Sequence, residues 1–188
     1  MTMTSGGFGF VKSLQKSFHR KPLNLPQRAY KVASIDLISL LEQDIRGIIL
    51  DLDNTIVSED DRYLAPGAET WIENAKRQGI QFFILSNGKR RHRVVYWSER
   101  LDIPAISPAR KPFPKSFRKA MTRMGLKPRQ VLVIGDSRHT DVLGAWLVGC
   151  ASIQVATLPH PFRWWERLLG KWVQIPYVDR QDLWDFIE

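Results

Sequence analysis

Three short apolar runs, each closing on polar or acidic residues, constrain what this chain can fold into more than any other feature. Gly47-Ile-Ile-Leu50 runs into Asp51, Ile80–Leu85 into Ser86-Asn87-Gly88, and Val131–Ile134 into Gly135-Asp136. Helical spacing fills the gaps. Pro66-Gly67 opens a stretch that closes near Gln78-Gly79, Arg90–Arg100 forms a second, and Phe113–Met124 a third that ends at Gly125. A brief strand over Pro104–Ile106, a helix over Thr140–Val148 and a strand over Ser152–Val155 complete the alternation. Continuous apolar runs of this length are strands buried on both faces, and strands alternating with helices build βαβ units. The expected fold is α/β, with a mostly parallel sheet covered by helices on both sides. In such a sheet ligands bind beyond the carboxyl ends of the strands. Asp51, Asp53 and Thr55, Ser86 and Asn87, and Asp136 should therefore converge at one edge.

Two carboxylates two residues apart, Asp51 and Asp53, point to the same side if the strand geometry continues. They repel unless a cation sits between them or one is protonated. Mg²⁺ suits the position, because it takes oxygen ligands and keeps open positions for a phosphate. An EF-hand is excluded, since Ile56 stands where its glycine is needed and Arg62 where its glutamate is. The alternative is a pair of loop acids capping a helix. Asp136 is placed to give a third carboxylate. Asp141, five residues on, would hold metal-bound water, orient Lys111, or simply favour a helix N-terminus. Ser86-Asn87-Gly88 offers a hydroxyl and free N–H groups where a helix begins, which suits a phosphate. Lys111-Pro112 offers an ammonium to neutralise its charge. Lys115 lies one helical turn away and competes for that role.

In combination these residues resemble the four motifs of the haloacid dehalogenase (HAD) superfamily of phosphatases, in the superfamily's order and over about residues 47–155. The motifs are Asp-x-Asp-x-Thr after a strand, Ser-Asn after the next, Lys-Pro, and Gly-Asp-x-x-x-Thr-Asp. Gly47-Ile-Ile-Leu-Asp-Leu-Asp-Asn-Thr-Ile56, Ala109-Arg-Lys-Pro112 and Thr140-Asp-Val-Leu-Gly144 resemble the YqeG-type, class IIIA branch, which includes phosphatidylglycerophosphate phosphatases. The resemblance implies a three-layer Rossmann-like HAD fold, with Asp51 as the nucleophile that forms an aspartyl-phosphate. Asp53 would protonate the leaving oxygen and then activate water. Mg²⁺ would be held by Asp51, the backbone carbonyl of Asp53, and Asp136. Ser86, Asn87 and Lys111 would bind the phosphoryl group, with Thr55 fixing the loop and Asp141 in support.

The spacings bear on the substrate. Asp51 to Ser86 spans 35 residues and Ser86 to Lys111 spans 25, leaving no room for a sizeable cap domain. By the same resemblance, an uncapped site admits large substrates. Residues 88–130 carry 13 basic and two acidic residues, within a chain of net charge +9 and pI near 9.9. That excess points to an anionic partner. The leading expectation is an anionic phospholipid substrate at a membrane surface. The same chemistry on a nucleic-acid, protein or soluble metabolite phosphate is the alternative, and a non-catalytic nucleic-acid or protein-binding module is the third.

At 188 residues the chain has the length of one domain with extensions. Its 44 % hydrophobic and 25 % charged residues exclude wholesale disorder. No apolar run reaches the roughly 20 residues of a membrane-spanning helix. The single cysteine, Cys150, excludes a disulfide framework or a cysteine-rich zinc site and points to a reducing, cytoplasmic setting. The core is expected over residues 32–158. Residues 1–31 carry six basic and no acidic residues. Met1–Gly9 should be disordered, and Phe10, Leu14 and Phe18 would form one stripe of a helix, with Lys12 and Lys16 away from it. Such a segment can lie on an anionic membrane, pack on the domain, or serve as an organelle transit peptide. Residues 159–188 hold four of the seven tryptophans. Phe162, Trp165, Leu168 and Leu169 form a helical stripe suited to core packing, and Trp164 and Trp172 flank it as candidates for membrane contact. A short helix is expected over Gln181–Ile187.

Overall fold

The computed structural model describes residues 24–161, 166–178 and 183–185. The elements run β1 (Arg28–Ala29), α1 (Leu37–Glu42), β2 (Gly47–Leu50), β3 (Tyr63–Leu64), α2 (Ala68–Arg77) and β4 (Gln81–Leu85). They continue with α3 (Arg91–Arg100), β5 (Ala105–Ile106), α4 (Pro114–Met124), β6 (Val131–Gly135), a π-helical turn (Arg138–Val142) and α5 (Leu143–Val148). β7 (Ala151–Thr157), α6 (Glu166–Val173), β8 (Ile175–Pro176) and β9 (Trp184–Asp185) follow.

The main sheet is parallel throughout, in the order β1-β7-β6-β2-β4-β5, with β8 added to the end of β7. Strand periodicity sends alternate side chains to opposite faces, and this divides the interior into two layers of apolar contact. Ile48, Leu50, Phe82, Ile84, Leu132 and Ile134 meet Trp71, Ile72, Ala75, Val94 and Trp97 of α2 and α3. Ile49, Phe83, Leu85, Val131 and Val133 meet Phe117, Ala120, Met121 and Met124 of α4 and Ala145 of α5. The result is the expected three-layer α/β fold, and no cap domain interrupts it among the described residues.

The helices end where their residues require. Gly125 and Gly149 close α4 and α5 in the left-handed conformation. Asp36 caps α1 by accepting from the backbone N–H groups of Ile38 and Ser39. Where α4 and α5 cross, the contact requires glycine. A Cβ at Gly144 would stand 2.3 Å from Cζ of Phe117.

Four expectations change on folding. The helix expected from Thr140 begins as a wider π turn at Arg138, because the Asp141 carboxylate accepts from Ser137 N (3.3 Å) and the Thr140 hydroxyl (3.0 Å) inside that turn. Trp184–Asp185 forms no helix and instead pairs antiparallel with Tyr63–Leu64. A helix of one or two turns is marginal in water, whereas β3 presents a free edge. Leu168 and Leu169 do not reach the core. Both are exposed, because α6 rests on the 138–142 turn and β8 rather than on the sheet face. The strand geometry that would have aligned Asp51 with Asp53 stops at Leu50, and the chain turns through residues 52–57. The expectations for Met1–Gly9, for Phe10, Leu14 and Phe18, and for Phe162, Trp164 and Trp165 lie outside the described residues.

Candidate active site

The carboxyl ends of β2, β4 and β6 open on one cleft of about 580 Å³, lined by Asp51, Asp53, Asn87, Lys111 and Asp136 among others. Asp51 follows β2 directly, and its N–H donates to Ile134 O of β6 (2.9 Å). One turn later the Thr55 hydroxyl oxygen accepts from the N–H of Asp136 (3.1 Å), tying the two acidic strand ends together. Thr55 thereby fastens the loop to the end of β6.

Lys111 reaches in from the start of α4. Its Nζ lies 2.6 Å from Asp51 Oδ1 and 2.7 Å from Asp141 Oδ1, and all three side chains are buried. Lys115 is exposed, so the choice between the two lysines falls to Lys111. Asn87 grips the backbone of Lys111 from both sides. It accepts from Lys111 N (2.8 Å) and donates to Lys111 O (3.0 Å). Its role here is to place the lysine. Ser86 donates its hydroxyl proton to Asp53 Oδ2 (2.6 Å) and accepts from Gly88 N (2.9 Å).

The structure brings Asp51, Asp136 and Asp141 together, with one carboxylate oxygen from each within 4.8 Å of the others. Gly135 permits this approach, since a Cβ there would stand 2.3 Å from Asp141 Cγ. Asp53 directs its carboxylate elsewhere, to Ser86 and to the guanidinium of Arg93. Burial and the Asp141 charge push Asp51 well above the usual carboxylate range, and Asp136 and Asp53 add to the effect. Burial, with Asp141 again, raises Asp136 to about 6. Burial opposes the charge on Lys111, yet Asp141 and Asp51 outweigh it and hold the ammonium protonated. Three buried carboxylates thus face one ammonium. A divalent cation bound by oxygen would relieve the remaining negative charge, and the residues fit one.

Three contributors carry no motif. Gln174, just after α6, donates to Asp136 Oδ2 (2.9 Å), while Gln154 donates to the Asp136 carbonyl (2.9 Å). Nothing in the sequence marks Gln174. Arg93 reads as one more residue of the basic run after Ser86, yet it is only 4 % exposed. Its spacing from Trp97 placed it on the inward face of α3, and that was the available signal.

The family model for haloacid dehalogenase-like hydrolases matches residues 37–149, and the chain belongs to this family. Among named proteins it is similar to the probable phosphatase YqeG of Bacillus subtilis (strain 168), with 47 % identity over 105 residues, 56 % of this chain and 60 % of that one. It is also similar to the phosphoserine phosphatase of Thermus thermophilus, with 31 % identity over 114 residues, 56 % of this chain and 46 % of that one. The chain therefore spans about three fifths of the first relative and under half of the second. The fold recurs in a HAD-superfamily hydrolase from Ehrlichia chaffeensis, with a TM-score of 0.52 and 17 % identity over 65 % of this chain and 94 % of that one. It recurs too in the D,D-heptose 1.7-bisphosphate phosphatase from B. bronchiseptica, complexed with magnesium and phosphate. That match has a TM-score of 0.51 and 22 % identity over 61 % of this chain and 82 % of that one.

Proposed function

We propose that this protein is a Mg²⁺-dependent phosphomonoester hydrolase that dephosphorylates phosphatidylglycerophosphate to phosphatidylglycerol at a membrane surface. The observation that carries the phosphatase reading is Asp51, a buried carboxylate at a strand end, held 2.6 Å from the Lys111 ammonium beside two further acids. An Asp51 oxygen attacks phosphorus, and the bond from phosphorus to the ester oxygen breaks. Asp53 gives its proton to the departing oxygen. Water then attacks the aspartyl-phosphate, Asp53 takes the proton back, and phosphate leaves. Lys111 neutralises charge on the transferring group, and Ser86 turns its hydroxyl from Asp53 to a phosphoryl oxygen. Mg²⁺, held by Asp51, Asp136 and the Asp53 carbonyl with Asp141 beside them, would supply charge neutralisation at the phosphoryl oxygens. The likeness to a phosphatase complexed with magnesium and phosphate supports this choice of ion.

What supports a lipid substrate is the surface beside the cleft. Leu143, Trp146 and Leu147 lie on one face of α5, and Leu168, Leu169 and Trp172 on one face of α6. All six are exposed, Trp146 to 73 % and Trp172 to 76 %. Both helices adjoin the turn whose His139 and Thr140 line the cleft. Exposed tryptophan and leucine with a basic chain suit an anionic interface, where each contacting Lys or Arg is worth about 1 kcal/mol. No helix among the described residues is long and apolar enough to cross a membrane, and the contact proposed is peripheral.

The test is phosphate release from phosphatidylglycerophosphate in anionic vesicles, with Mg²⁺ and with EDTA, for wild type and Asp51→Asn. Release that needs Mg²⁺ and falls at least about 10³-fold in the variant is the expected result. Turnover of p-nitrophenyl phosphate without release from the lipid would keep the phosphatase and discard the lipid. Salt-sensitive RNA binding with no hydrolysis of either ester would replace both.

A further inference from the structure

Arg93 is an arginine the catalytic scheme does not use. It is the third residue of α3, buried beneath the rim of the cleft, and its donors are spread over the segment that follows the nucleophile. Nη1 meets Asp53 Oδ1 and Nε meets Asp61 Oδ1, both in close ion pairs. Nη2 donates to the carbonyls of Ser58 (2.7 Å) and Val57 (3.4 Å). A buried guanidinium is costly unless its donors are matched, and here they are matched by one loop.

The division of those contacts points to more than a clamp. Arg90 independently holds the other oxygen of Asp61 (3.2 Å) and the carbonyl of Glu59, so the loop is fastened to this edge of α3 without Arg93. What Arg93 adds is its hold on Asp53. The other Asp53 oxygen receives the Ser86 hydroxyl, and that hydroxyl is the one the phosphoryl group takes in the reaction proposed above. Once Ser86 turns away, Arg93 is the side chain that still fixes the Asp53 carboxylate. With Nε and Nη2 fixed on Asp61 and the Ser58 carbonyl, the planar guanidinium holds Nη1 at one place on Asp53 Oδ1, which the single ammonium of a lysine cannot do.

We propose that Arg93 is the positioning residue of Asp53. It holds that carboxylate where it can pass a proton to the leaving oxygen and accept one from water, and itself gives and takes no proton. This rests on the phosphatase reading. It also sets which esters the enzyme handles well: an alkoxide leaving group needs the proton, whereas p-nitrophenolate leaves without it.

The experiment compares kcat/KM for glycerol phosphate and p-nitrophenyl phosphate in wild type, Arg93→Lys and Arg93→Met, with the melting temperature of each. The expected result is a loss of about 10²-fold on the alkyl ester and less than tenfold on the aryl ester for Arg93→Met, with Arg93→Lys between. Equal losses on both esters would mark a structural clamp and overturn the proposal. A crystal structure of Arg93→Met decides the matter without turnover, and so separates this proposal from the phosphatase reading. With orthophosphate bound in the crystal, so that Ser86 is engaged, the Asp53 carboxylate should leave the place it holds in wild type, and its staying there would overturn the proposal. Should Arg93→Met not fold, Arg93→Lys serves both arms, with a smaller loss that is still greater on the alkyl than on the aryl ester as the expected result and equal losses as the overturning one.

Discussion

Asp136 shows how much of this site is an unresolved charge problem. Burial and Asp141 raise its pKa from 3.8 to about 6, so without metal the folded protein keeps the proton there up to about pH 6. The sign follows from linkage. Between pH of about 4 and about 6 the unfolded chain has released that proton and the folded chain has not, so rising pH costs stability. Measured in EDTA, Asp136→Asn should therefore gain melting temperature relative to wild type as pH rises through this window, and the difference should level off above it. A constant difference would contradict the assignment. Adding Mg²⁺ at pH 7.5 should raise the wild-type melting temperature, by an amount corresponding to about 2.7 kcal/mol at a hundred times the dissociation constant. Asp136→Asn should respond less, as thermal unfolding with and without the ion would show. Asp136, Asp51 and Lys111 were legible in the sequence because each follows an apolar run or precedes a proline. The direction of Asp53 was not, since it depends on where β2 stops.

At the scale of elements, legibility followed periodicity. β2, β4 and β6, each with three or four consecutive apolar residues, are found within a residue of their expected bounds. β9 has two residues, too few for any period, and its existence depends on β3, over a hundred residues earlier. The inward turn of Arg93 was hidden for a different reason. Charge in a run reads as solvated surface, and only the ring of Asp53, Asp61 and two carbonyls makes its burial tolerable. The crossing of α4 and α5 gives a sharp test. Gly144→Ala places a methyl against the Phe117 ring and should cost about 1–3 kcal/mol, read as a lower midpoint in urea. The acid cluster lies beyond this contact, so kcat of the folded fraction should change little.

For the whole molecule, charge and apolar surface act together. On the proposed lipid reading, net charge +9 would draw the protein to an anionic surface over a Debye length of about 8 Å at physiological salt, and the exposed faces of α5 and α6 would then decide whether it stays. Trp146→Ser with Trp172→Ser should cut co-sedimentation with phosphatidylglycerol vesicles several-fold while leaving turnover of p-nitrophenyl phosphate intact. Equal vesicle binding by variant and wild type would remove these helices from the interface.

Gln174 sits where these scales join. It follows α6 directly, yet its amide ends on Asp136. The helix and the acid cluster thus share a hydrogen bond, and linkage between them runs both ways. A cation bound more tightly when α6 is seated on a bilayer must, by the same factor, seat α6 more tightly. Such an enzyme would be most firmly attached to its membrane when loaded for work, and loosest when stripped of its ion.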